Sequence, residues 1–270
     1  MIKEIFLKRD LVRELVMKEL RVRYSRPVLG FAWAFLSPLF LVGIFYVVFS
    51  VILQVRTKEC PFILYLMSGV FSWRFFQDSL MGSVTSLIDN KNLIRESNFA
   101  HYLLPLSIVL ANGINFLPSL FLLIISASLI LKGIPLFILW LPVILTVHLM
   151  MAIGLSIFFS LLYVRWRDIK YMLEVLLSVL FYLTPVFYSL YLVRNVFSSL
   201  FFYAYVSNPL VGILNLYRVS ILKGFYPAIQ GDIPVASLVG IPAAFALIIL
   251  SSALWVYKKF KNHINDYLSY

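Results

Sequence analysis

Cysteine is all but absent. Cys60 is the only one in 270 residues, which excludes a disulfide framework and a cysteine-built metal centre. Histidine is nearly as scarce: His101, His148 and His263 stand far apart, and none pairs with another at metal-site spacing. No GxxxxGK[ST] run occurs, so the chain carries no P-loop of its own. Charge is thin, at 13% of residues against about 25% in soluble domains. Acids are the scarcer sign, 12 against 23 Lys and Arg, for a net charge of +11. Such an excess raises nucleic acid as a partner, but the charges gather in termini and short loops beside apolar runs. That is the distribution produced by membrane topology.

What fills the chain is apolar: 62% of residues are hydrophobic and the mean hydropathy is +0.94. Soluble folds average roughly 45–50% apolar and could not bury the excess. The expectation is an all-α integral membrane protein. Apolar runs at 30–53, 62–88, 102–131, 136–164, 172–192 and 235–257 predict six transmembrane helices. Pro105, Pro118, Pro142, Pro185 and Pro242 lie inside these runs and are expected to kink them. A cleavable signal peptide does not fit, because residues 1–26 are densely charged and the first apolar run is long enough to span. With the N-terminus inside, sixteen Lys and Arg fall on the cytoplasmic side. Six fall outside (Arg56, Lys58, Lys132, Arg194, Arg218 and Lys223), and Arg74 lies within a span. Both termini are therefore predicted to be cytoplasmic.

Between the fifth and sixth runs lies VFSSLFFYAYVSNPLVGILNLYRVSIL, residues 196–222. Asn208 and Pro209 cut it into pieces of about 11 and 14 residues, roughly 16 and 21 Å as helices against a hydrocarbon core of about 30 Å. Neither can cross. An Asn N-cap followed by Pro at the first helical position predicts two short re-entrant helices on the outer side. They could form a lid over an outward mouth, or float as interfacial helices at the headgroups.

Residues 1–29 form the first of three sections: a cytoplasmic amphipathic helix, then a transmembrane domain at 30–257, then a tail at 258–270. The helix shows two apolar stripes. Ile2, Ile5, Phe6, Val12, Val16 and Leu20 make the wider one, and Leu7, Leu11, Leu15 and Val22 the other, nearly opposite. Lipid on one side and protein on the other would use both; a plain membrane-surface anchor would need one.

Within the spans, Arg74 and Asp78 each cost on the order of 2.5–3.5 kcal/mol at a helix centre, so neither is expected to face lipid. Four residues apart, they can pair with each other, or mark a substrate path or subunit contact. Glu174 is expected to anchor to Arg165, Arg167 or Lys170, and His148 to be a hydrogen-bonded packing residue. Aromatics reach 17% and crowd the region from Phe181 to Tyr205, including Phe202 and Tyr191. They could line a path for the C–H faces of sugars, or simply face lipid.

Several stretches together resemble the ABC-2 type permeases that export bacterial O-antigens, capsules and teichoic acids. They are KELRVRYSRPVLGFAWAFLSPLF (18–40), LPLSIVLANGINF (104–116), RDI (167–169), YLTPVFY (182–188) and NPL (208–210), in that family's order and spacing. The resemblance implies a homodimeric permease in the bacterial inner membrane, without enzymatic chemistry, exporting a lipid-linked polysaccharide. It works with two copies of a separate ATPase, which holds ATP and Mg²⁺. It implies a coupling helix within NKNLIRESNF (90–99), contacting the ATPase through Lys91, Asn92, Leu93, Ile94, Arg95 and Glu96, and an external gate before the last span. Tyr182, Phe187, Tyr188, Phe197, Phe201, Tyr203, Asn208 and Pro209 are the channel or gate candidates. Arg74 and Asp78 depart from the family, which would place apolar or neutral residues there. Rival readings are an ABC-2 exporter of drugs or lipids, an ion-coupled transporter using Asp78 and Glu174, and a membrane glycosyltransferase. Inverted repeats are not apparent for the second, and no acid–base pair or metal motif gathers at either membrane face for the third.

Overall fold

Apolar segments in lipid must satisfy their own backbone, and a chain without strand-period patterning does so with helices. The computed structural model describes residues 8–24, 30–55, 57, 60–96, 100–225 and 235–261. Among them every regular element is helical. In order these are α1 (Arg9–Tyr24), α2 (Trp33–Phe45, running on as a π-helix over Tyr46–Ile52), α3 (Phe62–Val84), α4 (Ser86–Asp89) and α5 (Lys91–Glu96). Next come α6 (Leu103–Ile130), α7 (Leu141–Arg165, led in by a 3-10 turn at Leu136–Trp140) and α8 (Ile169–Leu183). The last are α9 (Leu190–Val196), α10 (Ser199–Val206), α11 (Pro209–Ile221) and α12 (Val235–Phe260).

Among the described residues four segments are long and apolar enough to cross a membrane: Trp33–Ile52, Leu103–Ile130, Leu136–Arg165 and Ser237–Phe260. The predicted second span, α3, is not among them, for a physical reason. Arg74, Gln77, Asp78 and four serines dilute its apolar character, and most of its side chains are buried by protein. The predicted fifth span is not continuous. It stops at Leu183, because proline disfavours helical backbone in the residue before it. Thr184, just ahead of Pro185, is extended at φ −103°, ψ 151°. The chain resumes as α9 only at Leu190.

The prolines also behave differently from one another. Pro118 and Pro242 lie inside their helices, and so does Pro38. Pro142 occupies the first turn of α7, and Pro105 that of α6, where a missing N–H costs nothing because those groups have no intrahelical partner. These two start helices instead of kinking them.

The bundle is organised around α3, which packs along α6 and α7, while α12 lies along α7 and α11 against α12. Gly154 lets α7 and α12 approach closely, since a Cβ there would lie 2.8 Å from the Leu250 backbone nitrogen. One apolar core joins α3, α6, α7 and α11. A second gathers α1, α4, α5 and the ends of α6, α7 and α12 around Val12, Leu87, Ile94 and Tyr102. The α1 helix thus buries a single seam, Val12, Leu15 and Val16, drawn from both predicted stripes, and Val22 is 67% exposed. Ile2, Ile5, Phe6 and Leu7 lie outside the described residues, as do His263 and the charges Arg56 and Lys58 of the predicted outer set.

Candidate functional site

The local chemistry at Asn208 is as expected. Its Oδ1 accepts from the Leu210 N–H at 2.9 Å, Pro209 opens α11, and α10 and α11 meet at 78°. Side chains from Leu210 to Ile221 are all buried, which a helix floating at a membrane surface would not achieve.

That burial includes Arg218, one of the six charges assigned to the outer side: it is 0% exposed, a charge enclosed by protein and not one at a surface. Its guanidinium donates to the carbonyls of Pro185 at 2.6 Å and Val186 at 3.3 Å, and to Ser68 Oγ at 3.2 Å. It also lies 3.5 Å from the Tyr65 ring centroid, a cation–π geometry. Arg218 therefore ties three elements together: α11, α3 and the break after α8. Gly69 makes the fit possible, since a Cβ on it would stand 2.6 Å from the Val186 carbonyl oxygen. Hydropathy cannot reveal such a residue; the one available signal is a charge in a helix that is otherwise apolar at nearly every position.

The aromatic candidates fall into two groups. Tyr182, Phe187 and Tyr188 join Phe181, with Phe187 stacking on Phe49 at 4.7 Å and Phe181 lying 5.6 Å from Trp73. The Tyr188 hydroxyl bridges to the Tyr205 hydroxyl at 3.0 Å, and its carbonyl accepts from Tyr65 at 2.8 Å. Phe197 and Phe201 stack on each other at 4.3 Å, exposed, as Tyr203 is. Asn208 and Pro209 are half-buried.

Arg74 and Asp78 do not form the predicted ion pair. Arg74 Nη1 donates to Ser37 Oγ of α2 at 2.9 Å. Both line a cavity of about 440 Å³ between α1, α2, α3 and α6, together with Arg23, Tyr24, Asn112 and Asn115. At its rim the Tyr24 hydroxyl donates to Asn115 Oδ1 at 2.8 Å. Burial pushes the Tyr24 hydroxyl above its ordinary pKa, with the Arg23 charge opposing the shift.

In the segment expected to couple to an ATPase, Lys91, Asn92 and Arg95 are exposed and Leu93 half-buried, whereas Ile94 is 3% exposed and seated in the α1 core. Lys18 Nζ donates to Asn90 Oδ1 at 2.7 Å, fastening α1 to this segment. Glu96 ends α5, its side chain outside the described residues, as are residues 97–99. Glu174 is exposed and makes none of the expected ion pairs among the described residues. Arg165 lies over Trp166 and Arg167 over Tyr163. His148 is buried and its Nδ1 is 3.2 Å from the Tyr217 hydroxyl, the packing role expected of it. His101 donates its backbone N–H to the Tyr257 hydroxyl at 3.2 Å, and burial depresses its imidazole pKa.

A model of the ABC-2 type transporter family matches residues 10–222. Two proteins from Klebsiella pneumoniae, each called O-antigen export system permease protein RfbA, are 30% and 28% identical over 218 residues, covering 80% of this chain and 81% of their own. A protein of the same name from Myxococcus xanthus is 27% identical over 218 residues, covering 81% of this chain and 82% of its own.

Proposed function

The chain belongs to the ABC-2 type transporter family, and from that membership we propose that it is the permease subunit of an ATP-driven exporter. Its cargo is a lipid-linked polysaccharide of the O-antigen kind, and its place is a bacterial inner membrane. The observation that carries the cargo is that proteins named as O-antigen export permeases align with this chain over four-fifths of its length and of theirs.

In this reading the chain crosses six times, through α2, α3, α6, α7, the broken α8–α9 segment and α12, with both termini in the cytoplasm. The α10–α11 pair enters from the outer side and turns back. Buried residues along α11 support that placement, because irregular backbone at membrane depth needs protein around it. Two copies of the chain work with two copies of a separate ATPase, whose ATP and Mg²⁺ supply the driving force. The exposed Lys91 and Asn92 of α5 meet that ATPase, while the buried Ile94 seats α5 on α1 and so passes its displacement into the bundle. The permease itself makes and breaks no covalent bond; it switches between two packings of helices. The aromatic group at Tyr182, Phe187 and Tyr188 offers ring faces along the exit.

The test is co-purification followed by reconstitution. A P-loop ATPase recovered with this chain at equal stoichiometry, and ATP-dependent movement of lipid-linked polymer into vesicles, are the expected results. ATP hydrolysis with no polymer movement would remove the cargo assignment, and absence of any associated ATPase would remove the mechanism.

A further inference from the structure

The cavity between α1, α2, α3 and α6 holds polar groups that find no partner among the described residues. Asn112 is 3% exposed, and among the described residues neither its Oδ1 nor its Nδ2 has a hydrogen-bond partner. The Asn115 Nδ2 is likewise buried and unpartnered, its Oδ1 being taken by Tyr24. Burying an amide with both ends unsatisfied is costly, and a packed bundle ordinarily avoids it. Here the amide lines a space of about 440 Å³. That is within the roughly 300–1,000 Å³ usual for small-molecule sites.

The side chains around that space specify a chemistry. Arg23 and Arg74 bring two guanidinium groups, of which Arg74 spends Nη1 on Ser37 and retains its other N–H groups. Guanidinium pairs favour phosphate oxygens. The amides of Asn112 and Asn115 and the carboxylate of Asp78 are poor partners for phosphate alone, since Asp78 repels it and Asn112 needs a donor as well as an acceptor. Hydroxyl groups supply both. A sugar joined to phosphate meets every requirement at once, whereas a bare anion or a simple hydrocarbon meets only part of them.

We propose that this cavity is a head-group site for a sugar phosphate carried on a lipid, with Arg23 and Arg74 holding the phosphate and Asn112, Asn115 and Asp78 reading the sugar hydroxyls. The choice of a glycolipid over other phosphates rests on the export reading. The site would explain why Arg74 and Asp78 stand in α3 although they do not pair with each other: each is aimed at a ligand that fits between α3 and α6.

The test uses the full chain in phosphatidylcholine nanodiscs and radiolabelled farnesyl-diphosphoryl-N-acetylglucosamine as probe. Asn112→Leu and Arg74→Gln are each expected to weaken binding by about tenfold, the loss of one or two charge-assisted or buried hydrogen bonds. Asn112→Asp keeps the shape of the side chain and is expected to weaken binding similarly, through repulsion of the phosphate. Ile248→Ala, exposed on α12, should bind as wild type. Unlabelled glycolipid should displace the probe, and inorganic phosphate, farnesyl phosphate and phosphatidylglycerol should do so at least about tenfold less well. Wild-type chain that fails to bind, or variants that all bind alike, would overturn the site. Equal displacement by phosphatidylglycerol or phosphate would reduce it to a general anion site and overturn the sugar assignment. Polymer export is scored separately. Binding that depends on Asn112 and Arg74 upholds the site even where no polymer moves, and export without such binding removes the site while leaving the export reading intact.

Discussion

Arg218→Met asks whether a buried guanidinium holds α11, α3 and the break after α8 together. Methionine keeps much of the stem volume and removes every donor. The Pro185 carbonyl, bonded at 2.6 Å, and the Val186 carbonyl, at 3.3 Å, would lose their partner in a region closed to water. An acceptor left so costs about 1–3 kcal/mol. Relief from burying a guanidinium offsets part of that sum, so the net loss should be about 2–4 kcal/mol. With melting shifts of about 2–4 °C per kcal/mol for chains of this size, the melting temperature in detergent should fall by roughly 5–15 °C. Arg218→Lys should fall between, because one ammonium cannot span the Pro185 carbonyl and Ser68 Oγ as the planar fork does. Gly69→Ala gives an independent check, since its Cβ would crowd both the Val186 oxygen at 2.6 Å and Arg218 Nη2 at 2.9 Å. Combined with Arg218→Met it should cost less than the sum of the two, as neighbours sharing a contact do. A melting temperature within about 2 °C of wild type for Arg218→Met, with strictly additive behaviour in the cycle, would refute the clamp.

Other sites yield shorter tests. Asn208→Ala removes the cap of α11 and should cost about 1 kcal/mol in thermal unfolding, with slower export. Gly154→Ala drives a methyl into the Leu250 backbone and should cost about 1–3 kcal/mol, read by the same melt. Lys91→Glu with Asn92→Glu should weaken ATPase co-purification without lowering the melting temperature, since both side chains are exposed. Ile94→Glu should lower the melting temperature itself, because it places a charge in the α1 core.

The features that could be read ahead were those set by adjacent residues. Asn208 followed by Pro209 is a cap and a first turn whatever surrounds it, so the break between α10 and α11 was legible. Pro185 carried an equally local signal against helix at Thr184, but hydropathy averaged over the whole run concealed it. Arg218 was out of reach for a different reason: its acceptors are backbone carbonyls 32 and 33 residues away, and no side-chain pattern marks a carbonyl. The same limit applied to Arg74. Its spacing from Asp78 allows a pair on one helix face, but the preferred partner, Ser37, is on a different helix. On α1, a helical wheel showed two stripes, and only the packing against α6 decided that Val12, Leu15 and Val16 form the buried seam.

These local outcomes converge on α3 and explain why it is the least lipid-like of the long helices. At one end Tyr65, Ser68 and Gly69 receive Arg218 and the broken segment after α8. In the middle Arg74 and Asp78 face the cavity shared with α6. Further along, the Ser79 carbonyl accepts from Ser156 of α7 at 3.3 Å, and beyond Val84 the chain turns directly into α4 and α5. Arg74, Asp78 and Ser68 on α3 thus face a protein partner or a cavity, the arrangement that lowers the cost of polarity inside an apolar bundle. The Ser79 hydroxyl is buried without a partner among the described residues. A push on α5 can reach the break after α8 through α3, and also through α12, which shares the α5 core at Tyr257 and packs against α11. Stiffening α3 against its neighbours should affect the α5 end and the α10–α11 pair together, whereas a loosened Arg218 clamp should release the α10–α11 pair and leave the proposed ATPase association at α5 unchanged.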